Sequence, residues 1–215
     1  MLFRSDEASA KAWLSALPEW TAVAAERLEL LARMLAAENA LQNLVSAASL
    51  ASIWQRHIAD SAQLLRYVPR ETAGPWLDLG AGAGFPGLVV AALWPELEVV
   101  LVESRARRID WLERARIALD LDQIRIVGAE LKKVATFPAA TISARAFAPL
   151  PQIMVLAARF STTQTVWVLP KGRSAAQELL ALSGRAHNFG IEASLSDPEA
   201  GIIVGQLVGK KGDIL

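Results

Sequence analysis

The sequence contains no cysteine among its 215 residues. The absence of thiols excludes disulfide bonds, thiolate-bound metals and every mechanism that needs a cysteine nucleophile. The chain also lacks the apolar core of a signal peptide near residue 1, and it has no run of about 18 uncharged apolar residues. We therefore expect a cytoplasmic protein that does not span a membrane, and we predict no metal site.

An excess of charge of one sign is absent too, because 22 lysine and arginine residues balance 22 aspartate and glutamate residues. The overall charge therefore gives no indication of a nucleic-acid partner. Local basic clusters do occur, for example Arg105, Arg107 and Arg108, but such clusters usually lie on a solvated surface. Binding of phosphate cannot be argued from charge alone.

The pattern of apolar residues divides the chain into two regions. From Ser5 to about Tyr67 the pattern is helical, with Leu28, Leu31 and Leu35 on one helix face. After Gly74-Pro75, short apolar runs alternate with helical stretches, which is typical of βαβ units and a parallel sheet. The predicted strands end at Leu79, Glu103, Val127, Ala144, Leu169 and Leu207. Two predicted helices cover about Pro86 to Trp94 and Arg105 to Leu119, and two more begin near Pro149 and Ser174. We predict a Rossmann-like α/β domain with a mainly parallel central sheet over residues 71–215, and an N-terminal helical extension over 1–70 packed on it.

The segment LDLGAGAGFPG, from Leu77 to Gly87, is the most informative part of the sequence. Glycines directly after a buried strand let the backbone approach a ligand closely, and the following helix presents free N–H groups. Three glycines in five residues indicate a nucleotide-like ligand rather than a plain turn between strand and helix.

Two cofactor classes compete for this loop. Gly82, Gly84 and Gly87 satisfy the dinucleotide pattern GxGxxG, whereas Gly80, Gly82 and Gly84 form the tighter pattern GxGxG, preceded by Asp78 inside the strand. The second pattern resembles motif I of Rossmann-like methyltransferases. Pro86 removes a helix N-terminal N–H that a pyrophosphate would use, which favours S-adenosylmethionine over NAD. An NAD-linked oxidoreductase stays open as the alternative.

Glu103 lies at the predicted end of the second strand, where its carboxylate can accept hydrogen bonds from both ribose hydroxyls. The alternative is a surface acid near Arg107 and Arg108. The absence of cysteine excludes methylation of a pyrimidine ring carbon, and SARAFAPLP (143–151) lacks the [N/D]PP[Y/F] tetrad associated with exocyclic amines. A ring nitrogen such as guanine nitrogen-7 needs no general base, because its lone pair is already free; in-line alignment supplies the catalysis.

Five blocks occur in order: NLVS (43–46), RHIADS (56–61), the Leu77 to Gly87 loop, SARAFAPL (143–150) and LPKG (169–172). In these blocks, the chain resembles the glucose-inhibited division protein B family, bacterial methyltransferases that make 7-methylguanosine in 16S ribosomal RNA. The resemblance implies a methyltransferase fold, S-adenosylmethionine as cofactor, and guanine 527 of that RNA as the family's target. It implies 16S ribosomal RNA or the small ribosomal subunit as partner, and we expect a monomer. A non-catalytic ribosome-assembly module that binds RNA is the other alternative.

The resemblance also implies roles for particular residues. Gly80, Phe85, the Ala129-Glu130 pair and Arg145 would contact the cofactor or its surroundings. Arg145 would in addition meet RNA and serve in catalysis; its alternative role is a structural ion pair with a nearby acid.

Three further residues are candidates for RNA binding. Lys171, predicted in a loop after the fifth strand, could reach a phosphate or be an ordinary solvated lysine. Arg56, His57 and Asp60 share a helix, where Arg56 and His57 are candidate RNA contacts and a polar network that fixes the N-terminal region is the alternative. The family often has an arginine at the position of Gly128 and a basic residue before the last strand. Their RNA contacts would here be weaker or would be supplied by Arg125, Arg105 or Lys210.

Overall fold

The computed structural model describes residues 6–182 and 187–208. Lys210, one of the candidate RNA contacts, lies outside these residues. The described chain forms one seven-stranded sheet, made of β1 (Trp76–Leu79), β2 (Val99–Glu103), β3 (Ile124–Gly128), β4 (Thr141–Ala144), β5 (Val166–Gly172), β6 (Gly190–Ala193) and β7 (Gly201–Gly205). The strand order is β3-β2-β1-β4-β5-β7-β6, and only the β7 pairings with β5 and β6 are antiparallel. The predicted α/β fold with a mainly parallel sheet is confirmed.

The helices agree with the predicted alternation. They are α1 (Glu7–Ser15), α2 (Ala22–Asn39), α3 (Ala47–Leu50), α4 (Asp60–Ala62), α5 (Gly87–Leu93), α6 (Ala106–Ala118), α7 (Leu150–Ala157) and α8 (Ala175–Leu180), and a π-helical turn (Trp54–Ala59) precedes α4. The Thr21 hydroxyl caps α2 by accepting from the Ala24 N–H at 3.0 Å. Leu28, Leu31 and Leu35 are fully buried, as their spacing predicts. No helix among the described residues is long and apolar enough to cross a bilayer.

The N-terminal helices share one apolar core with the sheet. Leu28 and Leu31 of α2 belong to the same buried cluster as Leu88 of α5 and Leu112 of α6. The division into 1–70 and 71–215 stays a prediction, but the two parts bury their apolar faces together.

Polar contacts fasten the same N-terminal region to a segment far along the chain. Gln55, Arg56 and Gln63 form hydrogen bonds of 2.7 to 3.2 Å with residues of the segment 194–197. Gln55 and Gln63 are buried, so these bonds satisfy polar groups that would otherwise lack partners.

Two features differ from the prediction. The edge strand β6 was not predicted, because it is only four residues long and all four are exposed, so no buried apolar run marks it. Lys171 lies inside β5 and not in a loop after it.

The strand order fixes where a ligand can bind. The chain runs from β1 outward to β3, and then returns to the other side of β1 to form β4. The carboxyl ends of β1 and β4 therefore border the crevice in which open α/β sheets bind their ligands.

Candidate active site

The glycine loop connects β1 to α5 through left-handed backbone conformations. Gly80, Gly82 and Gly84 have φ values of 65°, 57° and 95°. A side chain at Gly80 would also collide with the ring of Phe147. Glycine is therefore required at this position both by the left-handed backbone conformation and by the lack of space.

Asp78 lies beneath this loop and braces it. Its carboxylate is fully buried, and it accepts from the Gly87 N–H at 3.0 Å and from the Ser143 hydroxyl at 2.8 Å. Trp76 Nε1 donates in turn to the Ser143 hydroxyl at 2.8 Å. Burial raises the pKa of Asp78 to about 7, although the two hydrogen bonds act in the opposite direction.

Glu103 is buried, which excludes the alternative of a surface acid. Its carboxylate accepts three backbone N–H groups: Gly82 at 3.0 Å, Ser104 at 2.7 Å and Arg105 at 2.9 Å. The predicted ribose acceptor thus also holds the glycine loop against the start of α6.

A cavity of about 210 Å³ opens at the carboxyl edge of β1, β2 and β3. Its lining includes Gly80, Glu103, Ala129 and Phe147. The other predicted cofactor residues are not among those that line it. Asp78, Gly82 and Gly84 shape the loop from behind. Phe85 is buried beneath Arg145, and Glu130 is half-exposed in ion pairs with Lys132 and Lys133.

A larger cavity of about 680 Å³ adjoins the first. Arg145, directly after β4, lies in its lining with Arg56, His57 and Asp60. The Arg145 guanidinium donates to the Arg56 carbonyl at 3.3 Å, lies 3.6 Å from an Asp60 carboxylate oxygen and covers the Phe85 ring at 5.0 Å. A cation is therefore held at the end of β4 by contacts with the N-terminal helical region.

His57 is a neutral, buried member of this group. Burial, together with the positive charges of Arg145 and Arg56, lowers the pKa of His57 to about 3. Its Nδ1 lies 3.0 Å from Arg145 Nη2, and a guanidinium can only donate, so Nδ1 accepts and Nε2 carries the proton. Among the described residues, Nε2 has no partner.

Lys171 is neither a solvated lysine nor part of a loop. Its side chain is 7% exposed and forms an ion pair of 2.9 Å with Glu178. Its ammonium group donates to the Ala148 carbonyl at 2.6 Å, while Glu178 accepts from the Leu150 N–H at 2.7 Å. We call Lys171 and Glu178 the β5–α8 clamp, because together they hold both ends of the segment 148–150.

The sequence from residue 24 to 194 matches the family model GidB, described as rRNA small subunit methyltransferase G. The chain belongs to this family. The methyltransferase G of Erythrobacter litoralis is 56% identical over 182 residues, which cover 84% of this chain and 87% of that protein. The methyltransferase G of Novosphingobium aromaticivorans is 49% identical over 208 residues, or 95% and 90% of the two chains. The resemblance found in the five sequence blocks is confirmed.

Solved structures support the fold of this methyltransferase G family member. Cofactor-bound Rv0187 from MTB aligns with a TM-score of 0.61 at 16% identity, covering 94% of this chain and 97% of that one. A SAM-dependent methyltransferase from Aquifex aeolicus aligns with a TM-score of 0.57 at 13% identity, covering 74% and 93%. At these identities the likeness concerns the fold alone.

Proposed function

We propose that this protein transfers a methyl group from S-adenosylmethionine to nitrogen-7 of a guanine in 16S ribosomal RNA, with guanine 527 as the target implied by the family. One observation carries the proposal: Gly80 of the glycine loop and Glu103 line a cavity that adjoins a larger cavity containing Arg56 and Arg145. A donor site and a larger cavity that presents the guanidinium groups of Arg56 and Arg145 therefore lie side by side at the carboxyl edge of the sheet. The basic side chains of the larger cavity are balanced by Asp60, Glu178 and Asp197, with which they form ion pairs. The family name of the relatives supports the same reaction.

The residues present fit S-adenosylmethionine better than NAD. A pyrophosphate needs free N–H groups at the start of α5, but Pro86 has none, and the N–H of Gly87 donates to Asp78. The next two, of Leu88 and Val89, donate to carbonyls within the chain. Gly80, Glu103 and Ala129 would hold the cofactor, which carries its reactive methyl on a sulfonium.

The roles proposed for the chain are positioning and electrostatic. No general base is needed, since guanine nitrogen-7 attacks through a free lone pair. Arg145 would hold a phosphate or the guanine edge in a fixed fork, which suits a planar guanidinium. Arg56 and His57 would extend the RNA contact along the larger cavity, and Lys171 would act through the β5–α8 clamp. The proposed setting is the cytoplasm, with a monomer acting on 16S ribosomal RNA or on the small subunit.

The test measures tritiated methyl transfer to 16S ribosomal RNA from cells that lack this gene, followed by mass mapping of the modified guanine. We expect Arg145→Ala to lose about a hundredfold in rate and Arg145→Lys to recover only part of it. Arg116→Ala serves as the control and should keep the wild-type rate. This variant removes an arginine near the C-terminal end of α6.

Three results would contradict the proposal. If the Arg145→Ala variant stays folded and methylates RNA at the wild-type rate, Arg145 does not have the proposed role. Calorimetric binding of NAD instead of S-adenosylmethionine would favour the oxidoreductase. Wild-type protein that binds RNA without methylating it would favour a ribosome-assembly module.

A further inference from the structure

Phe147 stands at the boundary between the two cavities. Among the described residues, Ala146 and Phe147 are the two that line both the 210 Å³ cavity and the 680 Å³ cavity. Methyl transfer requires donor and acceptor to meet, so a reaction between ligands of these cavities must take place beside this pair. Phe147 is the one of the two with a large side chain, and its ring lies against Gly80 of the glycine loop.

The backbone around Phe147 is held in a defined conformation. Ala146 has a φ of 52°, in the left-handed region that residues other than glycine rarely adopt. Directly after Phe147, the β5–α8 clamp fixes the segment 148–150 at the Ala148 carbonyl and the Leu150 N–H. Arg145 is anchored on the other side by Arg56 and Asp60. The backbone on both sides of Phe147 is therefore pre-organised.

We infer that Phe147 is the surface on which the target base stacks, and that its π-face stabilises the positive charge that the base acquires. The inference rests on the proposed function. In the step concerned, the nitrogen-7 lone pair forms a bond to the methyl carbon while the carbon–sulfur bond breaks. The sulfonium becomes a neutral thioether, and the guanine becomes a cation.

An aromatic ring carries a negative face, which attracts a cation placed over it. Before transfer the base is neutral, and after transfer it is charged, so the attraction grows along the reaction. An interaction that is stronger in the transition state than in the ground state raises kcat as well as binding. Phe147 would therefore act on the chemical step in addition to orienting the base.

The test compares Phe147→Leu and Phe147→Tyr with wild type, and uses Phe137→Leu as the matched control, because Phe137 is also half-buried but lines neither cavity. Single-turnover methyl transfer to 16S ribosomal RNA is measured with both substrates saturating. We expect Phe147→Leu to be about 5- to 30-fold slower, with Phe147→Tyr and Phe137→Leu within about threefold of wild type. Affinity for S-adenosylhomocysteine, measured by calorimetry, should stay within about threefold for all variants.

A second series keeps the shape of the ring and so protects the test against misfolding. Phenylalanines with increasing fluorine content at position 147 weaken the negative face, and the single-turnover rate should fall with each step. Wild-type rates for Phe147→Leu, a rate independent of fluorination, or a loss of S-adenosylhomocysteine binding that accounts for the slower transfer would each overturn the inference while leaving the proposed function standing. A wild-type protein that methylates no RNA would instead overturn the proposed function, and this inference with it.

Discussion

Substituting Glu103 by glutamine tests whether the acid holds the glycine loop as well as the cofactor. In the structure, one carboxylate oxygen accepts from Ser104 and Arg105, and the other accepts from Gly82. A glutamine carbonyl can keep the first two bonds, but its NH₂ group would face the Gly82 N–H, donor against donor. One charge-assisted bond, of about 1.5 to 3 kcal/mol, is lost, and the other two weaken. We expect a loss of about 2 to 4 kcal/mol in the free energy of unfolding.

The loss is measured without ligand, by urea and thermal unfolding at neutral pH. For a chain of this size it corresponds to a fall in Tm of roughly 4 to 16 °C. Glu113→Gln is the control, since that glutamate pairs with Arg116 on the surface of α6, and its Tm should not change measurably. An unchanged Tm for Glu103→Gln, together with a weaker affinity for S-adenosylhomocysteine, would refute the bracing role and leave a ribose contact alone.

Three further predictions follow from the same geometry. Gly80→Ala should abolish cofactor binding in calorimetry, because the new methyl group would collide with Phe147 at a left-handed φ; unchanged affinity would contradict this. Because the folded-state pKa of Asp78, about 7, exceeds its ordinary value of 3.8, its contribution to the free energy of unfolding is present at low pH and lost as pH rises from about 4 to about 7. Asp78→Asn should remove that slope in urea titrations across this range, and an identical slope would speak against it. Lys171→Met should lower the free energy of unfolding by about 3 kcal/mol, because it leaves the Glu178 carboxylate without its buried partner. Adding Glu178→Leu should restore part of this loss. A wild-type unfolding curve for Lys171→Met would show that the pair contributes nothing.

The sequence predicted the features that depend on local pattern. The strands β1, β2 and β5 were found because each carries a buried, mostly apolar run, and β3 and β4 because apolar and polar residues alternate in them. The glycine loop was found because its spacing is local. The bracing role of Asp78 could not be predicted, since it depends on the β1–β4 register that sets Asp78 opposite Ser143. If the pairing of β1 with β4 had been known, the serine opposite the buried Asp78 would have indicated this role.

Residues brought together by tertiary contacts were missed for the same reason. Lys171 was predicted as an RNA contact in the LPKG block, but its ion pair with Glu178 was missed, because the two residues meet only where α8 folds back over β5. Phe147 lies in the SARAFAPL block, but its position at the junction of two cavities follows only from the folded chain.

The contacts between the N-terminal helices and the segment 194–197 also set an order of events during synthesis. The bonded residues are 131 to 141 positions apart. At about 5 to 20 residues per second, the partners in the late segment emerge roughly 7 to 28 seconds after the residues that they fasten. Arg56 and Asp60 line the larger cavity together with Ser194 and Ser196. The nascent chain can therefore form its glycine loop long before that cavity has its full wall, so the proposed acceptor site is completed later than the proposed cofactor site.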